Sequence, residues 1–210
     1  MTLAAIWRYP VKSMRGEPLD AAQLSRDGVF GDRLVQVFDR RGHLITARTH
    51  PSLLAHRGSL GVDDEPTVDG HRWNTREARA IVVAAAGEGT ELRRVDSRRF
   101  DILPLLVATD GMIEAFGRDP RRLRPNLIVG GVDGLREREW EGRRLQIGEA
   151  VITLEDLRGR CVMTTFDPDS QTQDPEVLRD IVRRFGGKLC LNASVDTPAP
   201  VAVGDRVTLL

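Results

Sequence analysis

The sequence predicts a mainly β protein with a few helices, an α+β fold built on a closed or nearly closed barrel. Most apolar segments are short and end at glycine, proline or a charged turn, which is typical of strands. Only two segments carry the capping residues and the spacing of an amphipathic helix. Many short strands with few helices favour a barrel, because closure leaves no strand edge exposed.

The first half of the chain reads as short strands joined by turns. Residues 4–11 alternate weakly and meet a proline, which predicts a strand that enters a loop. Residues 33–39 alternate with period two, and a charged turn joins them to residues 43–47, which predicts a hairpin. Residues 61–76 predict turns around one short strand. The continuous apolar run at residues 80–86 predicts a buried strand.

The second half contains both predicted helices. Residues 109–116 begin with a capping threonine or aspartate and place their apolar side chains on one face. Residues 174–185 begin Asp-Pro-Glu, which suits a cap and a first turn, and two glycines follow the last turn. Six further strands are predicted at residues 126–129, 144–147, 150–154, 161–166, 189–195 and 206–210.

A boundary between two domains is predicted where an apolar run gives way to a charged, arginine-rich segment, between residues 88 and 101. We therefore expect a smaller β-barrel-like domain at residues 1–95 and a second domain at residues 96–210. A chain of 210 residues is long enough to bury one large core or two small ones.

Composition excludes several classes of function. The formal net charge is zero, which argues against a protein that holds nucleic acid by its overall charge. No apolar stretch reaches the length of a membrane span, and the N-terminal segment lacks the pattern of a signal peptide. We therefore expect a cytoplasmic protein without a membrane partner. The two cysteines have no CxxC spacing that would predict a structural zinc site.

Cys161 is the most informative residue, because it lies between Arg160 and two threonines. A neighbouring guanidinium favours the thiolate, and a thiolate is a nucleophile and a ligand for a soft metal centre. Most free cysteines are instead buried packing residues, so the local pattern alone leaves both interpretations open.

Two further motifs place polar donors beside strand ends. Lys12 and Ser13 follow a strand end and a proline, so a short loop presents an ammonium and a hydroxyl together, as an anion site requires. The alternative is a solvated loop. Arg124-Pro125-Asn126 enters a predicted strand, and its side chains offer donors to a polar ligand unless the motif only marks the strand start.

These motifs, in this order, resemble the MOSC family, the molybdenum-cofactor sulfurase C-terminal domain, with its N-terminal β-barrel domain. The resemblance also rests on Gly31-Asp32-Arg33, Ile45-Thr46-Ala47-Arg48, Asp101-Ile102-Leu103-Pro104, Thr109-Asp110 and Val203-Gly204-Asp205. It covers nearly the whole chain, and the amidoxime-reducing branch is the most similar.

The resemblance implies a MOSC-type barrel and a bound molybdenum cofactor, a molybdopterin. Cys161 would be the protein ligand to molybdenum. The residues that would contact the pterin and its phosphate are Lys12, Ser13, Arg33, Arg48, Thr109, Arg124, Asn126 and Arg160. Close relatives often carry a serine where this chain has Gly159, and the segment between Ser59 and Phe100 is compressed, so substrate access is expected to differ.

The implied reaction is reduction of N-hydroxylated compounds, such as amidoximes or hydroxylamines. The sequence contains no iron–sulfur domain, so a separate protein is expected to deliver electrons, either a ferredoxin, a flavodoxin or a cytochrome-type reductase. Two alternatives stay open at this point. One is a sulfur carrier or sulfurtransferase that holds a persulfide on Cys161, and the other is a binding module that uses its arginines without catalysis.

Overall fold

The computed structural model describes all 210 residues and confirms a mainly β fold with three α-helices. The strands of the first half are β1 Thr2–Arg8, β2 Glu17–Leu19, β3 Ala21–Ser25, β4 Gly28–Val29, β5 Val35–Phe38, β6 Leu44–Ile45, β7 Gly58–Leu60, β8 Pro66–Val68, β9 His71–Arg72 and β10 Glu91–Arg94. Those of the second half are β11 Leu105–Thr109, β12 Leu127–Gly130, β13 Arg144–Ile147, β14 Ala150–Gly159, β15 Lys188–Thr197, β16 Pro200–Ala202 and β17 Val207–Leu209. The helices are α1 Arg76–Ala86, α2 Asp110–Phe116 and α3 Pro175–Phe185.

One eight-stranded sheet forms the body of the molecule, in the order β17-β13-β14-β15-β11-β12-β1-β2. All its pairings are antiparallel except that of β11 with β12. The sheet curls back on itself, because backbone hydrogen bonds join β1 to the segment that leads into β17. The amide of Leu3 donates to the carbonyl of Asp205 at 2.8 Å, and the amide of Val207 donates to the carbonyl of Met1 at 2.9 Å.

The N-terminal strand β1 thus belongs to the sheet that the second half of the chain builds. Three smaller sheets surround this body, in the orders β10-β5-β6, β16-β3-β4 and β7-β8-β9. The hairpin predicted from residues 33–47 is confirmed, since β5 pairs antiparallel with β6. Residues 61–76, predicted to hold one short strand, contain β8 and β9, and β7 pairs with β8 just before them.

Three apolar clusters hold these layers together. The largest has 22 buried residues and fills the barrel, with contributions from β1, β11–β15 and β17. A second cluster of 12 packs α1 against β5 and the neighbouring loops. A third of nine lies where α2 and α3 cover the outside of the barrel. The first and second clusters flank the functional cavity described below, so its walls are held by two separate cores.

Both predicted helices are confirmed, and their ends follow from capping. The hydroxyl of Thr109 accepts a hydrogen bond from the amide of Met112 at the start of α2. Asp174 caps α3 in the same way by accepting from the amide of Glu176, and Gly186 ends α3 in the left-handed conformation. No helix of the protein is both long enough and apolar enough to cross a bilayer.

Two predicted strands are wrong. Residues 80–86 belong to helix α1, whose buried residues Ala78, Val82 and Ala86 recur every four positions, and Thr75 caps it. An alanine-rich apolar run is compatible with a strand or a helix. In this protein the packing of one apolar face against the core favours the helix. Residues 161–166 form a 3-10 helix over Val162–Thr165 instead of a strand, because the hydroxyls of Thr164 and Thr165 bond back to carbonyls three residues earlier.

We expect the barrel core to respond strongly to a void. Leu191 lies on β15 and is fully buried in the largest cluster, so Leu191→Ala is expected to lower the free energy of unfolding by about 3–5 kcal/mol. The matched control is Leu44→Ala, because Leu44 is 40% exposed, and it should change stability by less than about 1 kcal/mol. Urea unfolding measures both, and equal losses would contradict this placement of the core.

Candidate functional site

A cavity of about 440 Å³ opens where the loops of the first half meet the C-terminal end of β14. It brings together eight of the nine residues that the sequence singled out: Lys12, Ser13, Arg33, Arg48, Arg124, Asn126, Arg160 and Cys161. These residues come from five separate parts of the chain. The barrel and the smaller sheets therefore assemble the site jointly, and neither half contains it alone.

The ninth residue, Thr109, does not line the cavity. Its side chain is fully buried, caps α2 and donates a hydrogen bond to the carboxyl group of Glu137 at 3.3 Å. The structure gives Thr109 a structural role as a helix cap, and its predicted contact with a cofactor stays a prediction. The signal was in the sequence, since a threonine before a helix is first of all a cap.

The cavity wall carries a large excess of positive charge. Seven of its side chains are basic and one is acidic: Lys12, Arg33, Arg48, Arg122, Arg124, Arg158 and Arg160 against Asp101. Such a wall attracts an anion, since several charge-assisted hydrogen bonds converge on one place. The neutral formal charge of the whole chain conceals this local excess.

Asp101 occupies the centre of these cations. Its carboxylate pairs with the ammonium of Lys12 at 2.7 Å and the guanidinium of Arg48 at 2.7 Å, and Arg158 lies 3.7 Å away. Burial alone would raise the pKa of this carboxyl group, but the charges of these three side chains outweigh burial and hold the pKa below its usual value. Asp101 is therefore ionised at neutral pH, and it occupies the cations that an anionic ligand would bind.

The position of Arg33 is set by a buried polar network. Asp32 is fully buried and accepts hydrogen bonds from the amide of Tyr9 at 2.6 Å and from the side chain of Asn126 at 3.0 Å, and it also pairs with Arg33. The Asn126 amide donates further to the carbonyl of Trp7 and accepts from the amide of Leu106 and from Arg33.

Asn126 thus uses both donors and both acceptor sites within the protein. Asn126 lines the cavity, but protein partners occupy all the hydrogen-bonding positions of its side-chain amide. It therefore acts by fixing the positions of Asp32 and Arg33. Its predicted role as a direct ligand contact stays a prediction.

Two arginines lie over the ring of Tyr9. The guanidinium carbon of Arg124 is 4.3 Å from the ring centroid, and that of Arg33 is 4.9 Å away. The phenol donates to the carbonyl of Pro125, and burial raises its pKa to about 12, so it stays protonated. Burial also lowers the pKa of Arg124 to about 10, which leaves the side chain charged at neutral pH.

Three residues of the cavity lining have a strained backbone. Ser13, Arg33 and Arg124 have φ angles of 72°, 53° and 57°, in the region that favours glycine. Such conformations cost free energy and persist where the surrounding structure imposes them, often at functional sites. In this protein the three strained residues place the hydroxyl of Ser13 and the guanidinium groups of Arg33 and Arg124 at the same cavity.

Cys161 lies at the end of the barrel strand, between cations. It is partly exposed, lies two residues after the end of β14 and lines the cavity together with Arg158 and Arg160. The guanidinium of Arg160 donates to the carbonyl of Leu123 at 2.8 Å, while its Nε is buried without a partner. A buried donor without an acceptor is costly in a folded protein, and this nitrogen is the one buried side-chain polar atom of the cavity lining in that state.

The second cysteine has a different environment. Cys190 is fully buried beneath α2 and α3, and burial raises the pKa of its thiol to about 11. Both cysteines are free. Cys190 is therefore a packing residue, and Cys161 is the thiol that faces the cavity.

Sequence reasoning missed Arg158, Arg122 and Asn192 as cavity residues. Arg158 and Arg160 stand two positions apart at the end of a strand, a spacing that places both on one face and could have revealed the first. No local signal marks Asn192, whose amide group holds Arg158 and Asp156 across the pairing of β14 with β15.

Comparison with known proteins agrees with this architecture. The family model of the MOSC N-terminal beta barrel domain matches residues 1–96, and that of the MOSC domain matches residues 108–208. Together they account for nearly the whole chain. Among solved structures, the YuaD protein from Bacillus subtilis has a similar fold, with a TM-score of 0.52 and 16% identity over 99% of this chain and 94% of that chain.

Similar sequences include two proteins whose names state an activity. Mitochondrial amidoxime reducing component 2 of Macaca fascicularis is 24% identical, over 90% of this chain and 73% of its own length. Mitochondrial amidoxime-reducing component 1 of Homo sapiens is also 24% identical, over 100% of this chain and 83% of its own length.

We predict that the Asn126 amide stabilises the whole cavity wall. Asn126→Ala should lower the free energy of unfolding by about 2–4 kcal/mol, because it removes one donor from the buried Asp32 carboxylate and leaves backbone groups unpaired. Asn74→Ala is the control, since Asn74 is exposed, and it should cost less than about 0.5 kcal/mol. Chemical denaturation that finds no difference between the two variants would contradict this role.

We also predict that Asp101 competes with anions for the cavity. Asp101→Asn removes the one negative charge among seven positive ones, so binding of inorganic pyrophosphate at pH 7 should tighten by about tenfold. Asp133→Asn, which removes an exposed carboxylate elsewhere, should leave the dissociation constant unchanged. Calorimetric titration gives both values, and weaker binding by the Asp101 variant would show that the carboxylate organises the site instead.

Proposed function

The chain belongs to the MOSC domain proteins, and from that premise we propose that it is an oxidoreductase that binds a molybdenum cofactor and reduces N-hydroxylated compounds. The observation that carries the proposal is a partly exposed thiol, that of Cys161, in a cavity with seven basic side chains. The similarity to amidoxime-reducing components supports the class of substrate.

The residues of the cavity fit such a cofactor. Its phosphate needs several cationic donors, and Lys12, Arg48 and Arg158 already converge on one carboxylate. The unpaired Nε of Arg160 offers a further donor. No three side chains of His, Cys, Asp or Glu gather into a metal cluster anywhere in the protein, so a single thiolate suits a metal whose other ligands arrive with the cofactor.

We assign roles to the chain's own residues as follows. Cys161 would ligate the molybdenum through its sulfur, and the guanidinium groups of Arg158 and Arg160 line the same cavity. Lys12, Ser13 and Arg48 would hold the phosphate after the ion pairs of Asp101 with Lys12 and Arg48 have opened. Arg33 and Arg124, held over the ring of Tyr9, would bind the pterin, and Asn126 would position Arg33.

The cofactor, when bound, supplies the two-electron chemistry that the side chains lack. Two electrons and two protons cleave the N–O bond of the substrate and give the N–H product and water. The protein contributes a positively charged, partly enclosed site that holds the cofactor in one orientation. Electrons would come from a separate protein, either a ferredoxin, a flavodoxin or a cytochrome-type reductase.

The test is the molybdenum content of the protein expressed in a host that makes the cofactor. We expect near-stoichiometric molybdenum in the wild type and a fall to background in Cys161→Ser, with loss of benzamidoxime reduction by a chemical or protein electron donor. Cys190→Ala is the matched control, because it removes the buried thiol outside the cavity and should keep its metal. Elemental analysis and the reduction assay are the measurements.

Two outcomes would overturn the proposal. Molybdenum retained by Cys161→Ser at the wild-type level would exclude the thiolate as its ligand. Absence of molybdenum from the wild type, together with a persulfide on Cys161 in intact-mass spectra, would favour the sulfur-carrier function instead.

A further inference from the structure

A second cavity, of about 270 Å³, lies next to the first and opens to solvent beside Arg57 and Pro18. The two cavities share one wall, formed by Arg122, Arg124 and Met163. Cys161, Lys12 and Ser13 do not line the second cavity, so it is a separate space from the candidate cofactor site.

All the charged side chains that line this second cavity are positive, and some of them lack an ion-pair partner. Five arginines line it, and none of its lining residues is acidic. Carboxylates behind the wall neutralise two of them: Arg121 is paired with Asp119 and Asp169, and Arg122 is paired with Asp167.

The other three arginines keep free donors. Arg57 is exposed and forms no ion pair, and Arg124 contacts the Tyr9 ring without a side-chain hydrogen bond. The Nε of Arg15 is buried without a partner, although its terminal nitrogens reach the carbonyl of Ala55 and approach Asp169. Because unpaired guanidinium groups in a recess favour an oxyanion, the cavity is suited to a negatively charged head group.

The remaining wall is flat and apolar. Trp7, Tyr9 and Phe166 contribute rings, and Leu54 and Met163 contribute aliphatic surface. A site with apolar walls and a few convergent polar groups is the usual form of a small-molecule pocket, and this volume lies near the small end of that class. Inorganic phosphate alone would leave the aromatic surface uncovered.

We propose that this second cavity binds a small organic carboxylate with a flat apolar body, whose head pairs with Arg57 and Arg124 and whose body lies against Trp7 and Phe166. Cys161 does not line this cavity, and of the two donors to the head group Arg57 lines only this cavity whereas Arg124 lines both, so binding is measured without molybdenum and followed through Arg57. The carboxylate has two conceivable sources, either the acidic end of the enzyme's own substrate or a separate acid that acts on the enzyme.

The experiment is a calorimetric titration of the purified protein with benzoate and with benzamide, which has the same ring without the charge. We expect saturable binding of benzoate and at least about tenfold weaker binding of benzamide. Arg57→Gln should weaken benzoate binding by about tenfold, because it removes a charge-assisted contact. Arg57 is exposed and unpaired, so this variant is expected to keep the wild-type melting temperature.

Two further variants serve as controls. Arg76→Gln removes an exposed arginine at the start of α1, outside both cavities, and should leave benzoate binding unchanged. Arg48→Gln removes a cation that lines only the first cavity and should also leave it unchanged.

The proposal is overturned by any of four results: no saturable benzoate binding below about 10 mM, equal binding of benzamide, no effect of Arg57→Gln, or an equal loss in Arg48→Gln. The last result would place the ligand in the first cavity. These measurements need no cofactor, so failure of the proposed reductase function would leave them interpretable.

One further experiment rests on the proposed function and distinguishes the two sources of the carboxylate, the substrate itself and a separate acid. In the loaded enzyme, benzoate that raises the KM for benzamidoxime without changing kcat occupies the place of a substrate. Benzoate that changes kcat acts from a site of its own. Either result assigns the source of the carboxylate, and it supports the second cavity only when Arg57→Gln abolishes the effect, because Arg57 lines that cavity alone.

Discussion

The buried carboxylate of Asp32 is the constraint on which the site depends. A fully buried charge is costly unless several donors surround it, and Asp32 has three, from Tyr9, Arg33 and Asn126. These donors come from the residue after β1, from the loop before β5 and from the entry to β12. One carboxylate thereby joins both halves of the chain at the edge of the cavity and sets the direction of Arg33.

Electrostatics at the cavity follow from this arrangement. Seven basic side chains are held together at a density that an isolated loop would not tolerate, because cores on both sides fix their backbones. Asp101 relieves part of the mutual repulsion when it pairs with Lys12 and Arg48. The same carboxylate that stabilises this cluster would therefore have to move or share its partners when an anionic cofactor binds.

The common wall of the two cavities has a functional consequence. Arg124 faces both spaces, and its backbone has a left-handed conformation that the strand entry and the Tyr9 ring impose. A ligand held in the second cavity would therefore stand beside the residue proposed to bind the pterin in the first. Charge on one side of this wall affects the affinity on the other, since an arginine shared by two anions is only partly available to each.

The sequence alone determined the mainly β class, the hairpin at residues 33–47, both capped helices and the candidate set that includes Lys12, Arg33 and Cys161. These features depend on short-range signals, namely alternation, capping residues and motifs, which are legible within a few positions. Tertiary structure alone decided that residues 80–86 form a helix, that Thr109 lies outside the cavity and that protein partners occupy every hydrogen-bonding position of the Asn126 amide group. It also decided that Asp101 meets Lys12 and Arg48, and that a second arginine-lined cavity exists. The physical reason is that these outcomes depend on contacts between residues far apart in the chain, and only the closure of the barrel brings those residues together.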